Sequence, residues 1–438
     1  MPIVVDRKGG GEARPGDLAL VSGRRGRARM QRLLGSAKRV DNVLEALLVE
    51  TGVRQGFEPH DAPAPSLEGR VDLRDELSFT IDPETAKDFD DALTLKDDRA
   101  YVHIADVSYF VPAGTPLDRG AAERAFSTYV PGRVAPMLPP DLSEDLCSLR
   151  PHEDRLCVTV EIPLPAGEPT FYRSVIRSRE RLTYGRAEAI LAGREQADAE
   201  LTQALRRAEA VSTELRGRRF GRGALRVESP EIEFEFDEEG GISRAWRAEE
   251  AHSHMLVEEL MILANECVAS LLAGRRREAL FRVHERPEPQ AVELLLAKLA
   301  DLKVPTPPAP ENLSPAGAAA LAAAASELVT EHSAKSGRGR EAFPALVLRS
   351  LKQARYDPRN LGHSGLASSA YCHFTSPIRR YPDLVVHRAL LRELDMSGDP
   401  VPLDLGELAE HTSGRERAAA DVEYRADDIC LAWLLDAE

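Results

Sequence analysis

The residues most suited to chemistry are four aspartates packed into ten positions: Asp82, Asp88, Asp90 and Asp91, within Thr80-Ile-Asp-Pro-Glu-Thr-Ala-Lys-Asp-Phe-Asp-Asp-Ala92. Phe79 and Ile81 precede them, and Ala92, Leu93 and Leu95 follow. The acidic stretch therefore joins two half-buried strands that would force its carboxylates together. At an effective dielectric near 20, two like charges about 4 Å apart repel by about 4 kcal/mol, so a close cluster calls for protonation or a bound cation. Hard oxygen donors without imidazole favour Mg²⁺, with Mn²⁺ the next choice, over zinc. A calcium EF-hand is excluded: counted from Asp88, its sixth position would be Leu93 and its twelfth Arg99, where glycine and glutamate are required. An acidic turn facing solvent is the plainer alternative from this segment alone.

A second segment, Tyr371-Cys-His-Phe-Thr-Ser-Pro-Ile-Arg-Arg-Tyr-Pro-Asp383, runs into the apolar stretch Leu384 to Leu391. Ser376 with Pro377 can start a helical turn, Pro382 is expected to interrupt it, and Asp383 to cap the helix that follows. The product would be a rigid turn presenting Arg379 and Arg380 on different faces. A guanidinium fixed this way can clamp a phosphate and offset charge developing on phosphorus. Ion pairing of both arginines with acids of the core is the alternative. Carboxylates for a divalent metal plus a preorganised arginine make up the parts of two-metal phosphodiester hydrolysis.

The elements that must position these groups can be read in outline. The chain has 438 residues, 43% hydrophobic and 29% charged, which excludes disorder over most of its length and suggests roughly three domains or one large domain with appendages. Strand patterns dominate from Leu77 to Arg177: Leu77–Asp82, Ala92–Leu95, Tyr101–Val107, Cys157–Ile162 and Thr170–Arg177, with Lys96-Asp-Asp-Arg99 as a turn. Helical character follows at Glu188–Leu215, at Met255–Ala273, which is apolar nearly all round and should be buried, and at 404–435. The Ala-rich stretch Ala316–Ala325 reads as a surface helix.

Net charge is −15, yet residues 1–40 carry ten Lys and Arg against three acids. This basic arm, from Arg7 to Arg39, suggests a polyanionic partner, with a solvated surface as the alternative. Within it, Asp17–Val21 and Ala28–Leu34 read as two strands around a glycine-rich turn, part of a small barrel. Residues 41–52 read as a short amphipathic helix, and Pro59, Pro63 and Pro65 mark a linker with a boundary near residue 67. Five scattered cysteines (Cys147, Cys157, Cys267, Cys372, Cys430) form no pair suited to zinc or to a disulfide framework. No apolar run reaches the roughly 18 residues of a membrane span, so a soluble, cytoplasmic protein with no membrane partner is expected. Nothing in the sequence calls for an organic cofactor.

The two chemical segments resemble the signatures of the ribonuclease II and ribonuclease R family, whose catalytic module is called the RNB domain. The resemblance runs from residue 71 to about 435. It includes Arg70–Arg74 leading into the acidic segment, Val102–Ser108, Tyr129-Val-Pro-Gly132, Met137–Pro140, Leu142–Leu149, Val257–Asn265, and finally the arginine segment. Gly362–Leu366 and Leu280–His284 look more like the ribonuclease R branch. It implies an α+β fold, a mixed sheet surrounded by helices, with a small N-terminal partial OB-like β segment. The divisions it suggests are an OB or cold-shock remnant and linker at 1–66, the RNB domain at 67–391, and its C-terminal helical part at 392–438.

Family members are processive 3′-to-5′ exoribonucleases that use Mg²⁺ on single-stranded RNA and release nucleoside 5′-monophosphates. The resemblance assigns metal binding to Asp82, Asp88, Asp90 and Asp91, action on the scissile phosphate to Arg379, and stacking on a terminal base to Tyr129. Catalytic residues would then be Asp91 and Arg379. Glu423 matches a glutamate lying along the RNA path, although its surroundings, Ala-Asp-Val-Glu-Tyr, depart from the family pattern. The base-pinching phenylalanine of the ribonuclease II branch has no counterpart after His284, where Glu285-Arg-Pro287 stands. Only residues 1–66 precede the module where the family usually has two cold-shock domains, so a reduced member or a truncated sequence is expected. Two other functions fit the same residues: a catalytically silent RNA-binding regulator, and a metal-dependent phosphodiesterase acting on something other than RNA. Arg177, Arg179, Arg181, Arg216, Arg218, Arg219 and Arg222 are candidates to line an RNA path.

Overall fold

The computed structural model describes residues 4–6, 13–24, 27–54, 56–165, 167–226, 232–237, 240–247, 252–310, 312–397, 399–402 and 404–437. Of the basic arm, Arg7, Lys8 and Arg25 lie outside the described residues. The chain begins with β1 (Val4–Asp6), β2 (Asp17–Arg24), β3 (Arg27–Ser36) and α1 (Val40–Glu50), then β4 (Val71–Asp72), β5 (Phe79–Asp82), β6 (Asp91–Lys96) and β7 (Arg99–Ala105). There follow α2 (Val107–Phe110), α3 (Pro116–Arg124), the hairpin β8 (Thr128–Val130) and β9 (Arg133–Ala135), and strands β10 (Asp154–Pro163), β11 (Thr170–Arg177) and β12 (Glu180–Thr183). Next come α4 (Tyr184–Leu191), α5 (Ala199–Gly221), the hairpin β13 (Ile232–Phe236) and β14 (Ile242–Arg247), and α6 (His252–Gly274). The last third holds β15 (Phe281–Val283), α7 (Pro289–Asp301), α8 (Pro315–Ser336), α9 (Ala342–Arg349), β16 (Arg355–Asp357), α10 (Tyr381–Glu393) and α11 (Leu405–Ala437).

A seven-stranded sheet in the order β12-β5-β6-β7-β10-β11-β4 frames the molecule, antiparallel through its centre and parallel at both edges. It is mixed, as expected. The alternation of its strands sends Leu93, Ile104 and Val158 to one face and Ala92, Ala105 and Cys157 to the other. The first face is covered by α5 and α6 through Leu205, Leu256, Leu260 and Val268. The second packs on Phe110, Leu142, Leu149, Leu384 and Val385. The sheet is thus buried on both sides, which fits its continuous apolar strands.

Three expectations need correction. Residues 188–215 are two helices: α4 ends at Leu191, Gly193 takes φ +70°, and α5 starts afresh behind Asp198, whose side chain accepts from the Glu200 N–H. The Ala-rich stretch belongs to α8, and Ala318, Ala322 and Ala325 are buried against α7 and α9 in a separate small core. Small side chains there let helices approach closely. Val107 leaves the strand pattern to begin α2.

A further core joins both ends of the chain. Val40, Leu44, Leu47 and Leu48, one stripe of α1, pack with Val130 of β8, Ile242 of β14, and Val422, Ala426 and Cys430 of α11. Among the described residues no helix is long and apolar enough to cross a membrane.

Candidate active site

The acidic segment is the connection between two adjacent central strands: Asp82 ends β5 and Asp91 begins β6. Phe89 anchors the loop between them, its ring buried in the second face of the core. The backbone around it is pinned on both sides. Phe89 N–H donates to Ser148 Oγ at 3.1 Å, the Ser148 hydroxyl donates to the Lys87 carbonyl, and Leu149 N–H donates to the Phe89 carbonyl. Burying the phenylalanine holds Asp88 and Asp90 to either side of it.

The arginine segment forms a closed turn. Asp383 is fully buried and accepts from the Ser376 N–H and from the Arg380 guanidinium, both at 2.8 Å. The expectation that Asp383 caps α10 is therefore wrong: Arg380 is the N-cap residue, and Asp383 lies in the helix's first turn and faces back into the loop. Pro382 interrupts nothing, because a proline in the first turn removes a donor that has no helical acceptor. The two arginines do point to different environments. Arg380 is the structural one, kept charged by Asp383 against the cost of burial. Arg379 is 46% exposed and reaches across to the acidic loop.

The contact between the segments is specific. Asp90 Oδ1 accepts the Ile378 N–H at 2.8 Å, and Asp90 Oδ2 lies 3.5 Å from Arg379 Nε. Arg379 also donates to Ser376 Oγ at 3.2 Å. A short bridge between Phe126 and Arg380 ties the same turn to the β8–β9 hairpin, with Ser127 N–H donating to the Arg379 carbonyl and Tyr381 N–H to the Ala125 carbonyl. On that hairpin the Tyr129 hydroxyl donates to Asp88 Oδ2 at 3.0 Å, while the Tyr129 N–H donates to Glu423 Oε1 of α11 at 2.8 Å. These contacts join Asp88, Tyr129 and Glu423 in one set and Asp90 with Arg379 in another, while Asp82 and Asp91 interact with the same groups electrostatically, Asp82 with Asp88 and Asp91, and Asp91 with Arg379.

Its electrostatics are those of carboxylates deprived of water. Burial pushes Asp82 up to about 7, with Asp91 adding to the shift, and pushes Asp91 up to about 6 against the opposing pull of Arg379 and Arg380. Asp90 is raised well above the usual carboxylate range by burial, again opposed by Arg379. The Tyr129 phenol is also raised, by desolvation and then by Asp88. Among the described residues Asp82 Oδ2 and Asp90 Oδ2 are buried without a hydrogen-bond donor, Asp90 Oδ2 having only the Arg379 ion pair at 3.5 Å. Such orphaned carboxylate oxygens are the donor type a hard divalent cation takes. In the conformation seen, no three acidic, imidazole or thiol side chains among the described residues converge as a closed ligand set.

Several groups had no functional signal in the sequence. Asn265 lies buried in α6, where its side-chain oxygen accepts the Phe374 N–H at 2.8 Å and its amide reaches the Tyr371 hydroxyl. The available signal was a polar residue interrupting an apolar helix face. Asp118 accepts from both Tyr381 and the fully buried Arg388, so α3 also fixes the start of α10. The remaining arginine candidates divide. Arg219 is buried against Glu259, and Arg177, Arg179 and Arg222 pair with Asp154, Glu200 and Glu266. Arg216 and Arg218 face Glu258 and Glu214. Arg181 alone among these adjoins the acidic loop, donating to the Pro83 and Glu84 carbonyls. His252 pairs with Glu209 and His254 packs edge-on against Tyr184, while His103 bonds Thr159 and Thr94 in the core. Asp106 is locked between Arg70 and Arg173.

An RNB domain matches residues 70–395. The chain belongs to the RNB-domain family. It is 38% identical over 393 residues to Ribonuclease R of Aquifex aeolicus, covering 85% of this chain and 54% of that protein. It is 38% identical over 406 residues to Ribonuclease R of Escherichia coli, covering 86% of this chain and 48% of that protein. The RNB chain thus spans about half the length of the curated relatives it matches. Mycoplasma genitalium RNase R in complex with ribose methylated single-stranded RNA superposes with a TM-score of 0.85 at 28% identity, covering 93% of this chain and 67% of that one. Yeast Ssd1, a pseudonuclease, superposes at 0.71 with 19% identity over 95% of this chain and 54% of that one, a likeness of fold alone.

Proposed function

We propose that the chain is the catalytic module of a processive exoribonuclease that shortens single-stranded RNA from its 3′ end and releases nucleoside 5′-monophosphates. The observation that carries this reading is the lock between Asp90 and the Ile378–Arg379 turn, which places a partly exposed guanidinium beside desolvated carboxylates. The kinship with proteins named Ribonuclease R, one of them solved with single-stranded RNA, supports the substrate class.

Asp82, Asp88, Asp90 and Asp91 would hold Mg²⁺, with Mn²⁺ as a substitute; the two orphaned oxygens and the all-carboxylate donor set fit such ions. A bound pair of divalent cations supplies activation of the attacking water and neutralisation of the leaving 3′ oxygen. The protein's own contribution is position and field. The burial that raises Asp82 and Asp91 excludes the water that would otherwise screen their charge. Arg379, steered by Ser376 and Asp90, donates to a non-bridging phosphate oxygen and stabilises the negative charge that grows there. Arg380 and Asp383 keep that turn from relaxing. The Tyr129 ring, 37% exposed on its hairpin, stacks on a terminal base, and Glu423 holds the hairpin's backbone from α11. In this proposal residues 67–391 carry the chemistry, 1–66 contribute the basic approach, and 392–438 brace the RNA path.

The test is a time course on single-stranded RNA labelled at its 5′ end. Mg²⁺ should convert the label from full length to a short 5′-terminal oligonucleotide with few intermediates, and EDTA should stop it. RNA that is bound but left intact in Mg²⁺ would instead indicate the silent regulator, and equal shortening of DNA would show that the sugar is not read.

A further inference from the structure

The hairpin that carries Tyr129 is held by parts of the chain far from it in sequence, and one side chain stands at their junction. Glu45 of α1 is only 12% exposed and pairs with two arginines at once, Arg32 of β3 and Arg133 of β9. Arg133 pairs with Val130 across the hairpin, and Tyr129 with Val134, so the Glu45 contact falls one residue from the tyrosine. Val130 itself packs into the α1 stripe of Leu44, Leu47 and Leu48. On the other side Gly132 adopts φ +72°, and a Cβ there would meet the Phe236 ring of the β13–β14 hairpin at 3.1 Å. The ring therefore lies directly on the turn. Glu423 takes the Tyr129 N–H from α11.

We propose that Glu45 is a positioning residue for the reading of the RNA 3′ end, fixing the β8–β9 hairpin through Arg133 while coupling it to the basic strand β3 through Arg32. The functional part rests on the reading of Tyr129 as the base-stacking group. The physical argument is one of degrees of freedom. A hairpin of two three-residue strands cannot hold its own geometry, and an aromatic ring placed to stack on a terminal base must be fixed to a fraction of an ångström. The apolar contacts set the hairpin's depth, but they are non-directional. A carboxylate that accepts from guanidiniums on two different strands supplies direction; Arg32 and Arg133 are 51% and 41% exposed, so each pair is modest and it is their convergence on one little-exposed carboxylate that fixes the hairpin. RNA engaged by the basic strand would pull on the hairpin through the same carboxylate. Sequence around residue 45 gives no hint of this, since an acidic residue on the polar side of a short helix reads as a solvated one.

The experiment compares the full chain with E45R, the milder E45Q, the charge-exchanged pair E45R/R133E, and Y129A. Two quantities are measured: amide hydrogen exchange of the segment 126–136 against that of the central strand 154–163, and the length of the final oligonucleotide from single-stranded RNA. E45R should speed exchange of the hairpin on the order of threefold to tenfold with the central strand unchanged, and E45Q less. The final oligonucleotide should lengthen as in Y129A, and E45R/R133E, which restores the pair with position 133 but leaves Arg32 facing a like charge, should bring both quantities part of the way back. Unchanged hairpin exchange in E45R and E45Q would overturn the clamp. Faster exchange with a native product, while Y129A alters the product, would make Glu45 merely structural and overturn the positioning role. A native product from Y129A would remove the stacking reading itself and this inference with it. Failure of the exchanged pair to restore either quantity would show that the Glu45–Arg133 contact is not the cause.

Discussion

The carboxylate–arginine centre and the Tyr129 hairpin lie within hydrogen-bonding distance of each other but are built in opposite ways. The first grows from the middle of a seven-stranded sheet: Asp91 opens a central strand, Phe89 is sunk into the core, and the arginine turn is closed by a fully buried Asp383. The second is a short hairpin braced by α1, β13–β14 and α11, elements drawn from the beginning, middle and end of the chain. Under the proposed exoribonuclease activity, the groups acting on phosphorus would sit on the most constrained elements, whereas the ring meeting a moving RNA end would sit on a peripheral element whose position depends on separable supports.

Breaking the first region should have the largest effect. Asp91→Asn should abolish turnover while leaving RNA affinity unchanged or improved, measured by single-turnover hydrolysis beside equilibrium binding. The same change removes a desolvated charge from the metal-free protein, whose Asp91 is pushed up to about 6. It should therefore raise metal-free stability by about 1–3 kcal/mol, read by chemical unfolding. Arg379→Ala should lower the single-turnover rate by about a hundredfold to a thousandfold with a modest change in affinity. Next in size, Asp383→Asn strands the buried Arg380 charge and should destabilise the protein by about 3–5 kcal/mol, visible as a lower thermal midpoint.

These strong effects fall where the sequence was most readable. Asp82 to Asp91 are local to one loop, flanked by strands whose alternation is plain, and the arginine turn is framed by Pro377 and Pro382. Residue type and spacing marked both segments, though not the roles that Pro382 and Asp383 take in the turn. What escaped were pairings between segments that leave no periodic trace: Asp90 with Ile378, 288 positions apart, and Tyr129 with Glu423, 294 positions apart. Only the family resemblance put Tyr129 and Glu423 on the candidate list. Asp383 was misjudged because an acid near a helix start satisfies the capping pattern whichever way its side chain turns. The break between α4 and α5 was hidden by helix-favouring residues on both sides of Gly193.

Smaller effects should sharpen the contrast. In the metal-free protein the folded state keeps protons on Asp82 up to about pH 7 and on Asp91 up to about pH 6, whereas their ordinary value is 3.8. The contribution of these two aspartates to metal-free stability therefore falls as pH rises from 4 to 7, opposite in sign to that of the buried, neutral His103, His363, His373 and His387, so it is the stability of the native chain relative to Asp91→Asn that should fall over this window. A cation competes with those protons. Stabilisation by Mg²⁺, about 2–3 kcal/mol at a hundredfold excess over Kd, should therefore be larger at pH 8 than at pH 6 in thermal shift measurements. Asp91→Asn should reduce this pH dependence, whereas Tyr129→Ala should lose base stacking worth about 1–3 kcal/mol and lengthen the final oligonucleotide, with degradation of long RNA persisting.

The most direct measurement follows the first nucleotide released from single-stranded RNA labelled within its 3′-terminal residue, in Mg²⁺, for the native chain and for Asp91→Asn. If the carboxylate–arginine centre is the site of hydrolysis, the native chain should release labelled nucleoside 5′-monophosphate as its first product and Asp91→Asn none, although both bind the RNA. Release of internal fragments or of products ending in 3′-phosphate, or comparable release by Asp91→Asn, would contradict it.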